Sequence, residues 1–324
     1  MSSLKKCVEC VKRHKNFLIT AHVNLEGDAL GSQLAFYKLL KKLGKNAVIV
    51  NDDDTPYEYG FLPQKNKIKR FKTGMKNIKF DCFAVLDCSG LSRTGKVYTI
   101  NKDKKPILNI DHHISNEKFG DVNWIEPAAS SCSEMIYKLY KKLRVPFDRE
   151  SATMLYAGML TDTGSFHYPN TNSFTHKAVS ELLKHNLDIA RIYKSVYENI
   201  PLRDMKFLSA ILPGIKLEAG GKIAYFVIKR NALKNKKLSF DLSEHLLSFA
   251  RSIKGVEVVL LFKENLRARG EIRINLRSQG KVDVNKIASL FGGGGHKTAS
   301  GATIHGSIQT IKRKVLARIK MSLK

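Results

Sequence analysis

Three short hydrophobic runs, Phe17-Leu18-Ile19-Thr20, Cys82-Phe83-Ala84-Val85-Leu86 and Ile107-Leu108-Asn109-Ile110, constrain the fold more than any other feature of this chain. Each is continuous rather than alternating and rich in β-branched or aromatic residues, the pattern of strands buried on both faces of a parallel sheet. Residues 29–43 place Leu30, Leu34, Tyr37 and Leu40/Leu43 on one helical face and stop at Gly44, as a crossover helix would. A further strand is predicted over 45–51, helices over 133–143 and 149–159 with Pro146 between them, and helical stretches over 175–186 and 189–210. Strand and helix alternating in this way predict a right-handed parallel α/β domain.

The pattern changes at Pro213-Gly214, where a domain junction is placed. Beyond it, β-type runs at 223–228, 256–262 and 271–276, with a helix over 242–253, predict a smaller mixed α/β unit. A closing helix over 308–321 is basic and amphipathic, and its narrow apolar face suits a domain surface better than a membrane. The expected division is 1–188, a helical linker 189–213, and 214–324. At 324 residues and 43% hydrophobic content the chain can fill two cores, which excludes disorder. No apolar run approaches the roughly 18 residues of a membrane span, and the first residues lead into charged sequence, so no membrane partner and a cytoplasmic location are expected.

Five cysteines, an odd number, argue for reduced thiols rather than a disulfide framework. Cys7-x-x-Cys10 has no second pair at zinc spacing and reads as two helix positions; Asp52-Asp53-Asp54 reads as a solvated loop. The net charge of +27 would concentrate polyanions, although lysine bias alone also produces such a balance. More specific is the grouping of Arg251, Arg267, Arg269, Arg273 and Arg277, because guanidinium groups suit bidentate phosphate contacts.

The chemistry lies where the strands end. His22, Glu26 and Asp28 fall in the turn between a strand and a helix; Asp87 follows a second strand, Asp111-His112-His113 a third, and Asp162 is expected directly after a helix. Crevices at strand C-termini are where open α/β folds bind ligands. Glu26, Asp28, Asp87 and Asp162 would put four negative charges in one cleft, and their repulsion calls for cations. Two divalent ions would neutralise them, and mixed imidazole and carboxylate ligands suit Mn²⁺, with Zn²⁺, Fe²⁺ or Co²⁺ possible and Ca²⁺ disfavoured. Taken singly, each such Asp reads as a cap or turn residue and each His as solvated; the joint occurrence carries the reading.

These motifs resemble the DHH phosphoesterase superfamily, named for the triplet that stands here at Asp111-His112-His113. Phe291-Gly292-Gly293-Gly294-Gly295-His296, with Ser300-Gly301, is similar to the glycine-rich signature of its DHH-associated C-terminal domain. The length and paired motifs are most similar to the NrnA branch, cytosolic enzymes acting on very short oligonucleotides and on 3′-phosphoadenosine 5′-phosphate (pAp). The resemblance implies a parallel-sheet DHH domain and a smaller mixed α/β domain joined by a helical linker. It implies one metal held by His22, Glu26 and Asp87 and another by Asp28, Asp87, His112 and Asp162, with Asp87 bridging and catalytic, and His113 beside the substrate phosphate. Arg277, Ser278, Gly294, Gly295 and His296 would bind the substrate, consistent with glycine backbones able to approach an anion closely. A homodimer is suggested by the same analogy.

Two positions depart from the family pattern. Glu26 stands where the family usually has the first Asp of Asp-Gly-Asp, and His167 where an Arg is common. The resulting expectation is a Mn²⁺-dependent enzyme that degrades short single-stranded RNA to 5′-mononucleotides and dephosphorylates pAp. The rival readings are a phosphodiesterase for cyclic or linear di-adenylate and, from another class, a catalytically degenerate RNA-binding protein.

Overall fold

The computed structural model describes residues 2–233, 242–265 and 270–323. Its contacts divide the chain into two compact units, 1–199 and 200–324.

The first unit is built on six strands: β1 (Asn16–Thr20), β2 (Asn46–Asn51), β3 (Ile68–Arg70), β4 (Cys82–Leu86), β5 (Ile107–Asp111) and β6 (Val122–Ile125). They lie in the order β3-β2-β1-β4-β5-β6, and every pairing is parallel. The predicted α/β class is therefore the observed one. From β1 the chain builds outward through β2 to β3, then returns to β4 on the other side of β1 and builds outward the other way. Loops leaving β1 and β4 consequently diverge, and that switch point opens a crevice above their C-terminal ends.

Helices α1 (Ser3–Arg13), α2 (Gly27–Lys42), α3 (Cys132–Leu143), α4 (Arg149–Asp162), α5 (Ser173–Leu183) and α6 (Ile189–Tyr197) complete the unit. Phe17, Ile19, Ala84 and Leu86 face the core shared with α1 to α5, whereas Leu18, Phe83 and Val85 face a smaller cluster with Val97 and Ile100. Both strand faces are thus buried, which is why the sequence runs were continuous. Each such side chain contributes roughly 1.5–3 kcal/mol on burial.

α2 and α4 meet at glycine: a Cβ on Gly31 would collide with the Met154 carbonyl and stand 3.2 Å from Gly158 N. α4 begins with a capping box, in which the Asp148 carboxylate accepts from Ser151 N at 2.9 Å and Ser151 Oγ accepts from Asp148 N at 2.9 Å. α4 also runs about one turn further than the predicted 149–159, so Asp162 is its last residue rather than the residue after it.

The predicted helix over 189–210 is two helices, α6 and α7 (Leu202–Ile211), interrupted at Pro201. Proline has no N–H for the helical ladder and restricts the residue before it, so the chain turns there. Leu208 of α7 packs with the second unit's core, so the division of contacts falls at Asn199 rather than at Pro213-Gly214.

The second unit contains α7, β7 (Lys216–Glu218), β8 (Ile223–Ile228), α8 (Arg230–Leu233), α9 (Ser243–Arg251), β9 (Val258–Glu264), β10 (Glu271–Ser278), α10 (Val284–Ser289), β11 (Gly294–Gly295), β12 (Ala299–His305) and α11 (Ile308–Ser322). The strand order is β11-β12-β10-β9-β8-β7, with β8 and β9 parallel and the other pairs antiparallel. Val258, Leu260 and Phe262 face α10 and α11, while Val259 and Leu261 face α7 and α9.

Lys38 and Lys42 Nζ each lie 3.0 Å from Asp148. Partial burial works against that carboxylate, but the Ser151 amide and the two ammonium groups hold it well below the usual range. A depressed folded-state pKa adds stability above the ordinary aspartate value of about 4, and loses it as pH falls towards the lower folded value. Asp148→Ala is expected to cost about 1 kcal/mol near neutrality, as cap removal does, and to flatten the loss of stability below about pH 4. Urea unfolding across pH 2–7 checks both.

Candidate metal centre

Five strand ends and helix termini converge over the switch point. The loop after β1 carries His22 and leads to Glu26, the residue preceding α2, and to Asp28 in its first turn. A buried amide pair underlies this loop: Gln33 Nε2 donates to Asn51 Oδ1 at 3.0 Å, Asn51 Nδ2 donates to Gln33 Oε1 at 2.9 Å, and Ala21 N donates to the same Asn51 Oδ1 at 3.3 Å. Asp53 was read as part of a solvated loop, yet its carboxylate accepts from Asn24 N at 2.6 Å and pins the turn. Asn24 itself has φ +62°, a conformation that asparagine tolerates.

Asp87, directly after β4, is also left-handed at φ +52°. Such backbone costs about 1–3 kcal/mol, and here it aims a buried carboxylate into the crevice. Asp87 stands 3.5 Å from His22 Nε2, 3.5 Å from His112 Nε2 and 3.7 Å from His113 Nδ1. Those separations exceed hydrogen-bond length, and neither oxygen of Asp87 accepts a hydrogen bond among the described residues. They are, however, the spacings of atoms sharing a cation of about 2.1 Å bond length.

Both flanking imidazoles are turned the right way for that role. His22 Nδ1 lies 2.7 Å from Val23 O and His112 Nδ1 3.2 Å from Ala129 O, which anchors each Nδ1–H on a carbonyl and points Nε2 inward. His22, Glu26 and Asp87 form one group with ligand atoms close enough to share an ion; Asp28, Asp87 and His112 form a second. Asp162 joins the second, its Oδ2 3.6 Å from His112 Nε2. All six residues singled out as ligands therefore meet in one place, Glu26 with its side chain half exposed and 4.0 Å from His22 Nε2.

The electrostatics fit the same role. Burial, then the nearby Asp87 charge, pushes Asp28 up to about 7. Burial, with Asp28 and Glu26 beside it, also raises Asp162 well above the carboxylate range. Burial opposes charge on Asp87 as well, but the neighbouring His112 and His22 imidazoles hold it far below. Burial and mutual repulsion therefore work against ionising Asp28 and Asp162, and a divalent cation beside them would oppose that shift.

Several supporting residues were not visible in the sequence. Asp28 accepts from the Cys132 and Ser133 amides at 2.6 and 2.8 Å, at the N-terminus of α3. Asp111 accepts from Asn116 Nδ2 at 2.6 Å and lies 2.7 Å from His113 Nδ1. Burial raises Asp111, but the His113 charge and hydrogen bond prevail and leave it at about 2. Asn170 Nδ2 donates to Ser130 O at 2.9 Å and Asp162 O at 3.0 Å. His167, the departure from the family pattern, is exposed and leans on the Tyr168 ring.

In the second unit, Ser278 N donates to Thr298 O and His296 N to Ala299 O, while Gly295 pairs with Ser300. Arg277, Ser278, Gly294, Gly295 and His296 therefore lie around one end of the sheet. Arg277 is bound there to the Glu244 carboxylate of α9. Arg267 and Arg269 of the expected cluster lie outside the described residues.

A parallel sheet carrying a two-group carboxylate and imidazole cluster at its switch point defines a metal-dependent phosphoesterase. The chain belongs to the DHH family: the profile of the DHH family, N-terminal domain, matches residues 16–159, and that of the DHHA1 domain matches 220–321. It is similar to the bifunctional oligoribonuclease and PAP phosphatase NrnA of Thermus thermophilus, 29% identical over 94% of this chain and 89% of that one. It is similar also to the protein of the same description from Bacillus subtilis, 28% identical over 92% of each chain. Among solved structures, an exopolyphosphatase-related protein from Bacteroides fragilis superposes with a TM-score of 0.86 and 25% identity over 99% of this chain and 98% of that one.

Gly158 of α4 faces this cluster. A Cβ there would stand 2.8 Å from Asp28 Oδ1 and 2.7 Å from Ser133 Cβ, and would collide with Ser133 Oγ. Gly158→Ala is expected to displace Asp28, raise the metal concentration needed for half-maximal activity, and lower turnover by about 10²-fold, the scale of ångström-level misplacement. A divalent-metal titration of phosphodiesterase activity measures both.

Proposed function

We propose that the protein hydrolyses oligoribonucleotides of a few residues to 5′-mononucleotides and removes the 3′-phosphate of pAp, using two divalent metal ions, with Mn²⁺ the preferred pair, in the cytoplasm. The observation that supports this most directly is Asp87, whose two buried oxygens accept no hydrogen bond among the described residues yet face both ligand groups. The relatives' descriptions supply the substrate class.

His22, Glu26 and Asp87 would hold one ion, and Asp28, Asp87, His112 and Asp162 the other. When bound, such a pair supplies Lewis acidity at the phosphoryl oxygens and a water acidic enough to act as nucleophile near neutral pH. The protein's own groups do the rest. Asp87 fixes the separation of the two ligand groups by belonging to both. Asp111, held by Asn116, orients His113 through Nδ1, so the other edge of the ring can meet a phosphate and offset its growing charge. Arg277, Ser278, Gly294, Gly295 and His296 would bind the terminal nucleotide of a short substrate. No helix among the described residues is long and apolar enough to cross a membrane.

Hydrolysis of a 5′-labelled RNA dinucleotide and of pAp, each with Mn²⁺ and with a chelator, tests the assignment. Both substrates should be cleaved only with metal. Asp87→Ala should abolish both reactions together; retention of either would separate the two activities and defeat the shared site. Faster turnover of a cyclic di-adenylate than of the linear dinucleotide would reassign the substrate. Glu26→Asp is expected to alter metal affinity by shortening a ligand that reaches in from the position before α2, and unchanged affinity and rate would show that the longer side chain does not alter the site.

A further inference from the structure

A second group of metal-type ligands lies at the opposite end of the first unit's sheet. Cys10 is in the last turn of α1, His14 is the residue immediately beyond that helix, and Cys82 opens β4. Cys10 Sγ and Cys82 Sγ are 3.9 Å apart, and a ring nitrogen of His14 lies within 4.8 Å of both sulfurs. Cys82 starts the strand whose far end leads to Asp87, five residues or roughly 16 Å away along the strand. The two clusters therefore share no residue.

The sulfur separation has a specific meaning. A disulfide would hold the sulfurs at about 2.05 Å. Two thiolates on one tetrahedral zinc, each at about 2.3 Å, stand about 3.8 Å apart. The observed 3.9 Å matches the second geometry without movement of either chain segment. Both cysteines are buried, while the His14 side chain is 16% exposed, which leaves a route in from solvent. His14 Nδ1 is 3.7 Å from Asp81 Oδ1, and Asp81 is itself fixed by the Lys15 and Asn16 amides at 3.0 and 2.9 Å.

We propose that Cys10, His14 and Cys82 form a zinc site separate from the catalytic centre, with water in the fourth position, that clamps α1 to the start of β4. Binding forms two Zn–S bonds and one Zn–N bond, and each thiol that ligates gives its proton to solvent. The Cys7-x-x-Cys10 spacing is incidental: Cys7 is fully buried, and Cys10 finds its partner across the sheet at Cys82. A thiolate-rich site would retain Zn²⁺ while the imidazole and carboxylate centre exchanges its ions, so purified protein should carry zinc that is not catalytic.

Co²⁺ is the probe, because thiolate ligands give it a near-ultraviolet charge-transfer band that carboxylate and imidazole ligands do not. The full chain, stripped of metal under reducing conditions, should bind Co²⁺ with that band and lose it on adding Zn²⁺. The band should disappear in Cys10→Ser and Cys82→Ser. His14→Ala, a partly exposed position that leaves the core intact, should weaken Co²⁺ binding at this site by at least about 10-fold, the effect expected of losing a group that matters to the metal. Asp87→Ala should leave the band unchanged. Absence of the band in the unaltered protein, its persistence in Cys10→Ser, or His14→Ala binding as tightly as the parent would overturn the assignment.

Discussion

The repulsion among Asp28, Asp87 and Asp162 is the constraint around which the first unit is organised. Asp28 and Asp87 are buried and Asp162 is mostly so, and burying one uncompensated charge costs several kcal/mol. The fold meets part of that cost with His22 and His112 and with the amides at the start of α3. The remainder falls to cations. A site that is incomplete without metal is one whose stability is coupled to metal binding.

Placing those charges together requires close packing elsewhere. Gly31 and Gly158 let α2 and α4 approach until Asp28 reaches the start of α3. The left-handed turn at Asp87 and the Asn51–Gln33 amide pair fix the two loops that leave the sheet at the switch point. The backbone strain and the buried polar groups therefore lie at the metal centre, while the strands beneath it are uniformly apolar.

Strand identity and ligand identity were legible in the sequence for the same reason. A parallel strand buried on both faces must be continuously apolar, and a polar residue directly after it must lie at the sheet edge. Phe17–Thr20, Cys82–Leu86 and Ile107–Ile110 thus announced both the sheet and the positions of His22, Asp87 and His112. Less legible were the break at Pro201, inside a continuous helical periodicity, and the extra turn of α4 that makes Asp162 helical. Local pattern sets a helix's face, but packing and capping set its ends.

What the sequence determined by itself was the α/β class, the pairing of a ligand-bearing domain with a glycine-rich one, and the six residues with metal-type side chains. These follow from side-chain chemistry and periodicity, which are properties of single segments. The tertiary structure decided which residues support them: Asp111 and Asn116 behind His113, Asn170 behind Asp162, the Cys132 and Ser133 amides on Asp28, and Asp53 on Asn24. It likewise decided that Cys10 faces Cys82, 72 positions along the chain, and not Cys7. Distances between segments far apart in sequence are set by how helices and strands pack, and packing is a collective property that no single segment carries.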